Sequence, residues 1–129
     1  MITVVKEFTF DAAHYLPNYD GPCSNLHGHT YKLQVGIKGE IDESGMVMDF
    51  KKLKEMVQSY VNALDHSYLN ELEGREFGAF PAKMPTAEKM VEWFVRHVSS
   101  DLAYADTSLR LDFIRLYETP TSYAEWRES

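Results

Sequence analysis

The chain has 129 residues, 44% of them hydrophobic, and a formal net charge of −7. Its length predicts a single domain over residues 1–129, and its hydrophobic content argues against wholesale disorder. The negative charge argues against a general nucleic-acid binder, since those proteins usually display a basic patch.

The N-terminus and the rest of the chain predict a cytoplasmic location. Residues 1–8 lack the basic start and apolar run of a signal peptide. No apolar run approaches the roughly 20 residues that span a bilayer. Cys23 is the one cysteine and cannot form an internal disulfide, which is typical of a reducing compartment. We expect neither a membrane nor a nucleic acid as a partner.

The first half of the chain predicts two long strands joined by a loop. Residues 2–10 are rich in β-branched and aromatic side chains, which favours a strand. Residues 15–26 contain two prolines, a glycine and two asparagines and predict a loop. Apolar and polar side chains alternate over 27–38, which predicts the second strand. Residues 46–50 predict a short strand that runs into a helix.

The second half predicts two helices followed by one or two strands. Apolar residues recur at helical spacing over roughly 50–64. Residues 65–85 contain two glycines and two prolines and predict irregular structure. Thr86 is the expected N-cap of a second helix. Residues 109–118 predict a strand, which a short strand near 123–126 can follow. This order favours an α+β domain, with an antiparallel sheet and helices on one face.

Three histidines are candidate ligands of one divalent metal ion. His27 and His29 open the second predicted strand, where alternate side chains point to the same face. Antiparallel pairing of the first two strands returns His14 beside them. Three histidines with an open fourth position are typical of catalytic zinc. Gly28 predicts a close approach of another backbone. The alternative is that each histidine is an ordinary core or surface residue.

Cys23 is a candidate base, because it lies four residues before His27 in the predicted loop. A nearby divalent cation favours the thiolate over the thiol. Two alternatives stay open. Cys23 can be a small buried hydrophobic residue, or a fourth metal ligand that makes the site structural rather than catalytic.

Asp65 and His66 are candidate members of a proton relay, in which a carboxylate fixes the tautomer of an imidazole. This requires the helix to have ended before them, because neighbouring residues within a helix do not face each other. The alternative is a helix-terminal histidine beside an exposed aspartate. Glu118 ends a late strand, where its carboxylate can accept two N–H bonds from an aminopyrimidine-type ring or simply be a solvated edge residue.

Six motifs follow one another along nearly the whole chain. They are FDAAHYL (10–16), CSNLHGHTY (23–31), GMVMDF (45–50), LDHSYLN (64–70), PTAEKM (85–90) and LYETP (116–120). Together they resemble the signatures of the 6-pyruvoyltetrahydropterin synthase family. The three residues between Cys23 and His27 resemble the branch that makes 6-carboxy-5,6,7,8-tetrahydropterin for queuosine, whereas the pyruvoyl branch typically has a longer insert.

The resemblance implies a fold, an assembly and a reaction. The fold is the tunnelling fold, a four-stranded antiparallel sheet with two helices on one face. Three copies form a barrel and two barrels stack into a homohexamer with active sites between subunits. The implied enzyme is a carbon–carbon or carbon–oxygen lyase that converts 7,8-dihydroneopterin triphosphate to 6-carboxytetrahydropterin, acetaldehyde and triphosphate. No redox cofactor is implied, and the chain has no dinucleotide-binding glycine motif.

The resemblance also implies residue roles. Zinc is the implied cofactor, bound by the three histidines. Cys23 is the implied general base, and Asp65 with His66 form its proton relay. Glu118 grips the pterin ring, and Thr86 lies near the pterin pocket. Two rival functions stay open at this point, a pyruvoyl-forming synthase with the same metal site and a non-catalytic zinc-binding domain. No motif identifies the cations that bind the triphosphate.

Overall fold

The computed structural model describes residues 1–73 and 79–129. Two long helices and five strands succeed one another along these residues. They are β1 (Ile2–His14), β2 (His27–Gly39), α1 (Phe50–Leu64), β3 (Ser67–Tyr68), α2 (Ala87–Ala105), β4 (Arg110–Thr119) and β5 (Ser122–Arg127). Among the described residues, neither helix is long and apolar enough to cross a membrane.

The strands form one sheet in the order β3-β1-β2-β4-β5. The pairs β1–β2, β2–β4 and β4–β5 are antiparallel, whereas β3 is parallel to β1. The α+β prediction with two helices is confirmed, but the prediction of a four-stranded antiparallel sheet is wrong. The chain leaves α1 beside the end of β1 and pairs there for only two residues, Ser67 and Tyr68, which is too short for a periodic signal.

Most predicted elements lie where the sequence placed them. α1 has the predicted bounds, and Thr86 is the N-cap of α2. The short strand predicted at 46–50 is wrong, because residues 46–49 form a loop and Phe50 begins α1. Asp49 caps this helix by accepting a 2.8 Å hydrogen bond from the Lys51 amide. The irregular segment predicted at 65–85 contains β3, and its residues 74–78 lie outside the described residues.

The helices cover one side of the sheet, which we call the core face, and the other side is the open face. α1 packs against β1, and α2 against β4 and β5. Alternate residues of β1 and β2 are buried on the core face, including Phe8 and Phe10 in β1 and Tyr31 and Leu33 in β2. The same alternation continues into histidines at one end of both strands, so the core face ends there in a polar cluster.

Candidate metal centre and active site

The antiparallel pairing of β1 and β2 brings the three candidate histidines together. His14 is directly opposite His27, and His29 is opposite Ala12 on the same face. His14 is only 1% exposed, and the other two are half-buried. Their ligating nitrogen atoms all lie within 4.8 Å of one another. One ion can therefore contact all three.

The hydrogen bonds of these imidazoles fit a metal ion. His14 Nδ1 lies 2.8 Å from the carbonyl oxygen of Pro85, and His27 Nδ1 lies 2.7 Å from that of Asn25. Because a carbonyl oxygen only accepts, each Nδ1 carries the proton and each Nε2 presents a lone pair. These two Nε2 atoms are 3.1 Å apart. Lone pairs at this distance repel one another unless a cation lies between them, and neutral imidazole is the form that binds zinc.

His29 and Glu118 complete the polar end of the core face. His29 Nε2 is buried and has no hydrogen-bond partner among the described residues. Glu118 Oε1 lies 3.5 Å from it, and the two atoms share no hydrogen bond. Burial lowers the pKa of His14 and of His29, although the Glu118 carboxylate opposes the shift in both. The neutral, metal-binding form of both rings is thereby favoured.

Cys23 lies in a single 3-10 turn, Pro22–Ser24, and is half-buried. The Leu16 amide donates a 2.8 Å hydrogen bond to the Cys23 carbonyl oxygen, which fixes this turn near the end of β1. The thiol is not among the mutually adjacent donors of the histidine cluster. Within the described residues, this arrangement favours three protein ligands and an open fourth position over a closed structural site.

Asp65 and His66 contact each other at the end of α1. α1 ends at Leu64, and His66 has a left-handed φ of 57°. The turn brings Asp65 Oδ2 to 2.9 Å from His66 Nδ1. The hydrogen bond from the Asp11 amide, and then that from His66, lower the pKa of the Asp65 carboxyl. Asp65 therefore stays ionised as an acceptor for the imidazole.

Asp65 and His66 lie beside the open face of the sheet, whereas the histidine cluster lies at the end of the core face. The His66 side chain is 79% exposed. It borders a cleft that is lined by the open-face residues Asp11, Gly28 and Thr30 and also by His29 of the histidine cluster. A Cβ added to Gly28 would lie 3.6 Å from the nearest backbone atom, which is ordinary contact. The close backbone approach predicted at this glycine is therefore absent within the described chain.

Thr86 and Pro85 join α2 to the histidine cluster. The Thr86 hydroxyl accepts a 3.2 Å hydrogen bond from the Lys89 amide, which caps the helix. The preceding carbonyl, that of Pro85, holds His14. Sequence reasoning missed this contact and the one from Asn25, because backbone acceptors leave no side-chain signal.

Comparisons with known proteins decide the family. A sequence model of the family described as 6-pyruvoyl tetrahydropterin synthase matches residues 3–129. The chain belongs to this family. Family members are pterin-processing enzymes that act on a small molecule, which argues against a non-catalytic zinc-binding domain.

Individual relatives in the family cover most of the chain. A 6-carboxy-5,6,7,8-tetrahydropterin synthase of Haemophilus influenzae is 38% identical over 148 aligned positions, covering 99% of this chain and 100% of the relative. One of the same name from Synechocystis is 40% identical over 99 positions, covering 72% and 71%. The solved structure of Caenorhabditis elegans 6-pyruvoyl tetrahydropterin synthase has a TM-score of 0.81 at 27% identity and covers 99% and 96%.

Proposed function

We propose that this chain is a 6-carboxy-5,6,7,8-tetrahydropterin synthase of queuosine biosynthesis. Its reaction converts 7,8-dihydroneopterin triphosphate and one water to 6-carboxytetrahydropterin, acetaldehyde and triphosphate. A carbon–carbon bond of the substrate's side chain breaks, and the pterin ring takes up the electrons, so no external oxidant or reductant is needed. The full-length relative with this name and the three-residue spacing between Cys23 and His27 support this branch of the family.

The observation that carries a metal-dependent reaction is the convergence of lone pairs in the histidine cluster. His14 and His27 present their Nε2 atoms to each other at 3.1 Å, and His29 Nε2 has no hydrogen-bond partner in the described part of the chain. We infer that all three bind zinc. Zinc held there would act as a Lewis acid toward the hydroxyl groups of the substrate's side chain.

The protein groups supply proton transfer and orientation in this proposal. Cys23, as the thiolate, removes a proton from the side chain, and His66 moves protons to and from it while Asp65 holds Nδ1. Glu118 accepts N–H bonds from the pterin ring. We assign Thr86 a place beside the pterin pocket through its backbone, since its hydroxyl already caps α2.

We further propose that the active site forms between subunits of a homohexamer. The His66 ring is largely exposed and belongs to the open face, whereas the zinc ligands belong to the core face. Proton transfer through His66 requires that bulk water be excluded from its ring, and a neighbouring subunit would cover the ring in this arrangement. β5 is an edge strand of the sheet, and assembly into a closed barrel would also protect that edge.

Mass spectrometry of the products tests the reaction. Zinc-loaded protein is incubated with 7,8-dihydroneopterin triphosphate, and the expected products are 6-carboxytetrahydropterin and acetaldehyde in equal amounts. A pyruvoylpterin product would assign the chain to the rival branch, in which triphosphate is eliminated and no carbon–carbon bond breaks. Absence of any pterin product from zinc-loaded protein would overturn the proposal.

A further inference from the structure

The backbone of Asp11 holds both members of the relay. Its amide donates a 2.9 Å hydrogen bond to Asp65 Oδ1, and its carbonyl oxygen accepts a 2.6 Å bond from the His66 amide. β1 therefore fixes the positions of Asp65 and His66. This support offsets the cost of the left-handed φ of His66, a conformation that non-glycine residues rarely adopt.

The side chain of Asp11 lies in the same cluster. Its carboxylate accepts a 2.5 Å hydrogen bond from the Thr30 hydroxyl across β1 and β2. One oxygen of Asp11, one of Asp65 and one ring nitrogen of His66 all lie within 4.8 Å of one another. Two carboxylates therefore flank a single imidazole. Only Asp65 contacts it directly, at Nδ1.

We propose that the Asp11 carboxylate, held in place by Thr30, is a positioning residue for His66. This inference rests on the proposed role of His66 as the relay. His66 Nδ1 donates its proton to Asp65, so Nε2 is the atom that takes a proton from the substrate and returns it. The His66 ring is positively charged only between taking up the proton and returning it. A second fixed negative charge nearby stabilises the ring in that charged form. The negative charge of Asp11 should therefore raise kcat and leave KM nearly unchanged.

The same strand offers a matched control. Glu7 is also an open-face carboxylate of β1, and it accepts a 2.5 Å hydrogen bond from Gln34 of β2. Glu7 and Asp11 thus share the strand, the face, the charge and the cross-strand hydrogen bond. Glu7 is four residues away and does not belong to the cluster around His66.

The test compares Asp11→Asn with Glu7→Gln in the full-length, zinc-loaded enzyme. Asp11→Asn is expected to lower kcat about three- to tenfold and to change KM less than about twofold. Asp11→Glu, which keeps the charge, should recover most of kcat. Thr30→Val, which frees the carboxylate, should give an intermediate loss. Glu7→Gln should match the wild type.

Three outcomes separate this inference from the proposed function. If His66→Ala abolishes turnover while Asp11→Asn behaves like Glu7→Gln, the role of Asp11 is overturned and the relay stands. If His66→Ala retains turnover, the relay itself fails. A loss in Asp11→Asn that is not rescued by Asp11→Glu, or that falls on KM rather than on kcat, would show a structural effect and would also overturn the inference.

Discussion

His14 and His27 face each other across β1 and β2 with their Nε2 atoms 3.1 Å apart, while backbone carbonyls keep the proton of each ring on Nδ1. The fold thus directs two lone pairs toward one point. The carbonyl of Pro85 lies just before the N-cap of α2, and that of Asn25 lies in the loop before β2. Two segments outside β1 and β2 therefore orient the two rings, which is the outer-shell arrangement common to metal-binding histidines.

Zinc binding is expected to stabilise the folded chain through these rings. A ligand that binds only the native state at a hundredfold excess over Kd contributes about 2.7 kcal/mol. Calorimetry with zinc and with chelator should show a higher Tm for the zinc-loaded protein. His27→Ala should lose this difference, whereas His66→Ala, outside the cluster, should keep it. An equal zinc response in His27→Ala and the wild type would contradict the assignment of the ligands.

Cys23→Ala is expected to separate catalysis from metal binding. The thiol is not among the mutually adjacent donors of the histidine cluster, so the zinc content measured by mass spectrometry should stay at the wild-type level. Turnover should fall by about 10²–10⁴-fold, the usual contribution of a positioned general base. Loss of zinc from this variant, without turnover in the wild type, would instead show that Cys23 closes a structural site.

Periodicity was enough to predict the long elements and the pairing that unites the histidines. β2 alternates cleanly and α1 carries one apolar stripe, so local sequence and tertiary packing agree over these segments. β3 was missed because two residues form no pattern, and its pairing depends on where α1 delivers the chain. The segment 46–50 was predicted wrongly as a strand, because Val47 packs into the core from a loop and Phe50 already belongs to α1.

The side-chain members of the candidate site could be proposed from the sequence. Strand alternation placed His27 and His29 on one face, whereas the family resemblance decided that His14 belongs with them. The contact between Asp65 and His66 depended on α1 ending before it. Backbone contributions were not predictable. The hydrogen bonds made by the Asp11 peptide and by the carbonyls of Pro85 and Asn25 depend on where the fold places these backbone groups. Any residue type could make them, so the sequence carries no signal for them.

The Asp65 carboxylate predicts a pH dependence of stability. Its folded pKa lies below the ordinary 3.8 because of the hydrogen bonds from the Asp11 amide and His66. Its stabilising contribution is therefore fully present well above pH 3.8 and is lost as the pH falls through the folded value. Asp65→Asn should lower the urea midpoint at pH 7, and the gap should close toward pH 3. Asp20→Asn, in an exposed loop, is the control. A gap that is equal at both pH values would contradict this account.

Gly36 and Gly28 both lie in β2, yet alanine should affect them differently. A Cβ at Gly36 would lie 2.3 Å from the ring of Phe113, which is 8% exposed and also contacts the Arg127 guanidinium. The ring must move, and such overpacking typically costs about 1–3 kcal/mol. A Cβ at Gly28 would meet only the Ala12 carbonyl oxygen, at 3.6 Å.

Urea unfolding at equal protein concentration checks this difference. Gly36→Ala should have a clearly lower midpoint, and Gly28→Ala should stay within about 1 kcal/mol of the wild type. Because Gly28 borders the cleft beside His66, its variant should lose turnover while keeping its fold. Equal stability of Gly36→Ala and the wild type would show that Phe113 relaxes without cost. Wild-type turnover in Gly28→Ala would show that this cleft does not admit substrate.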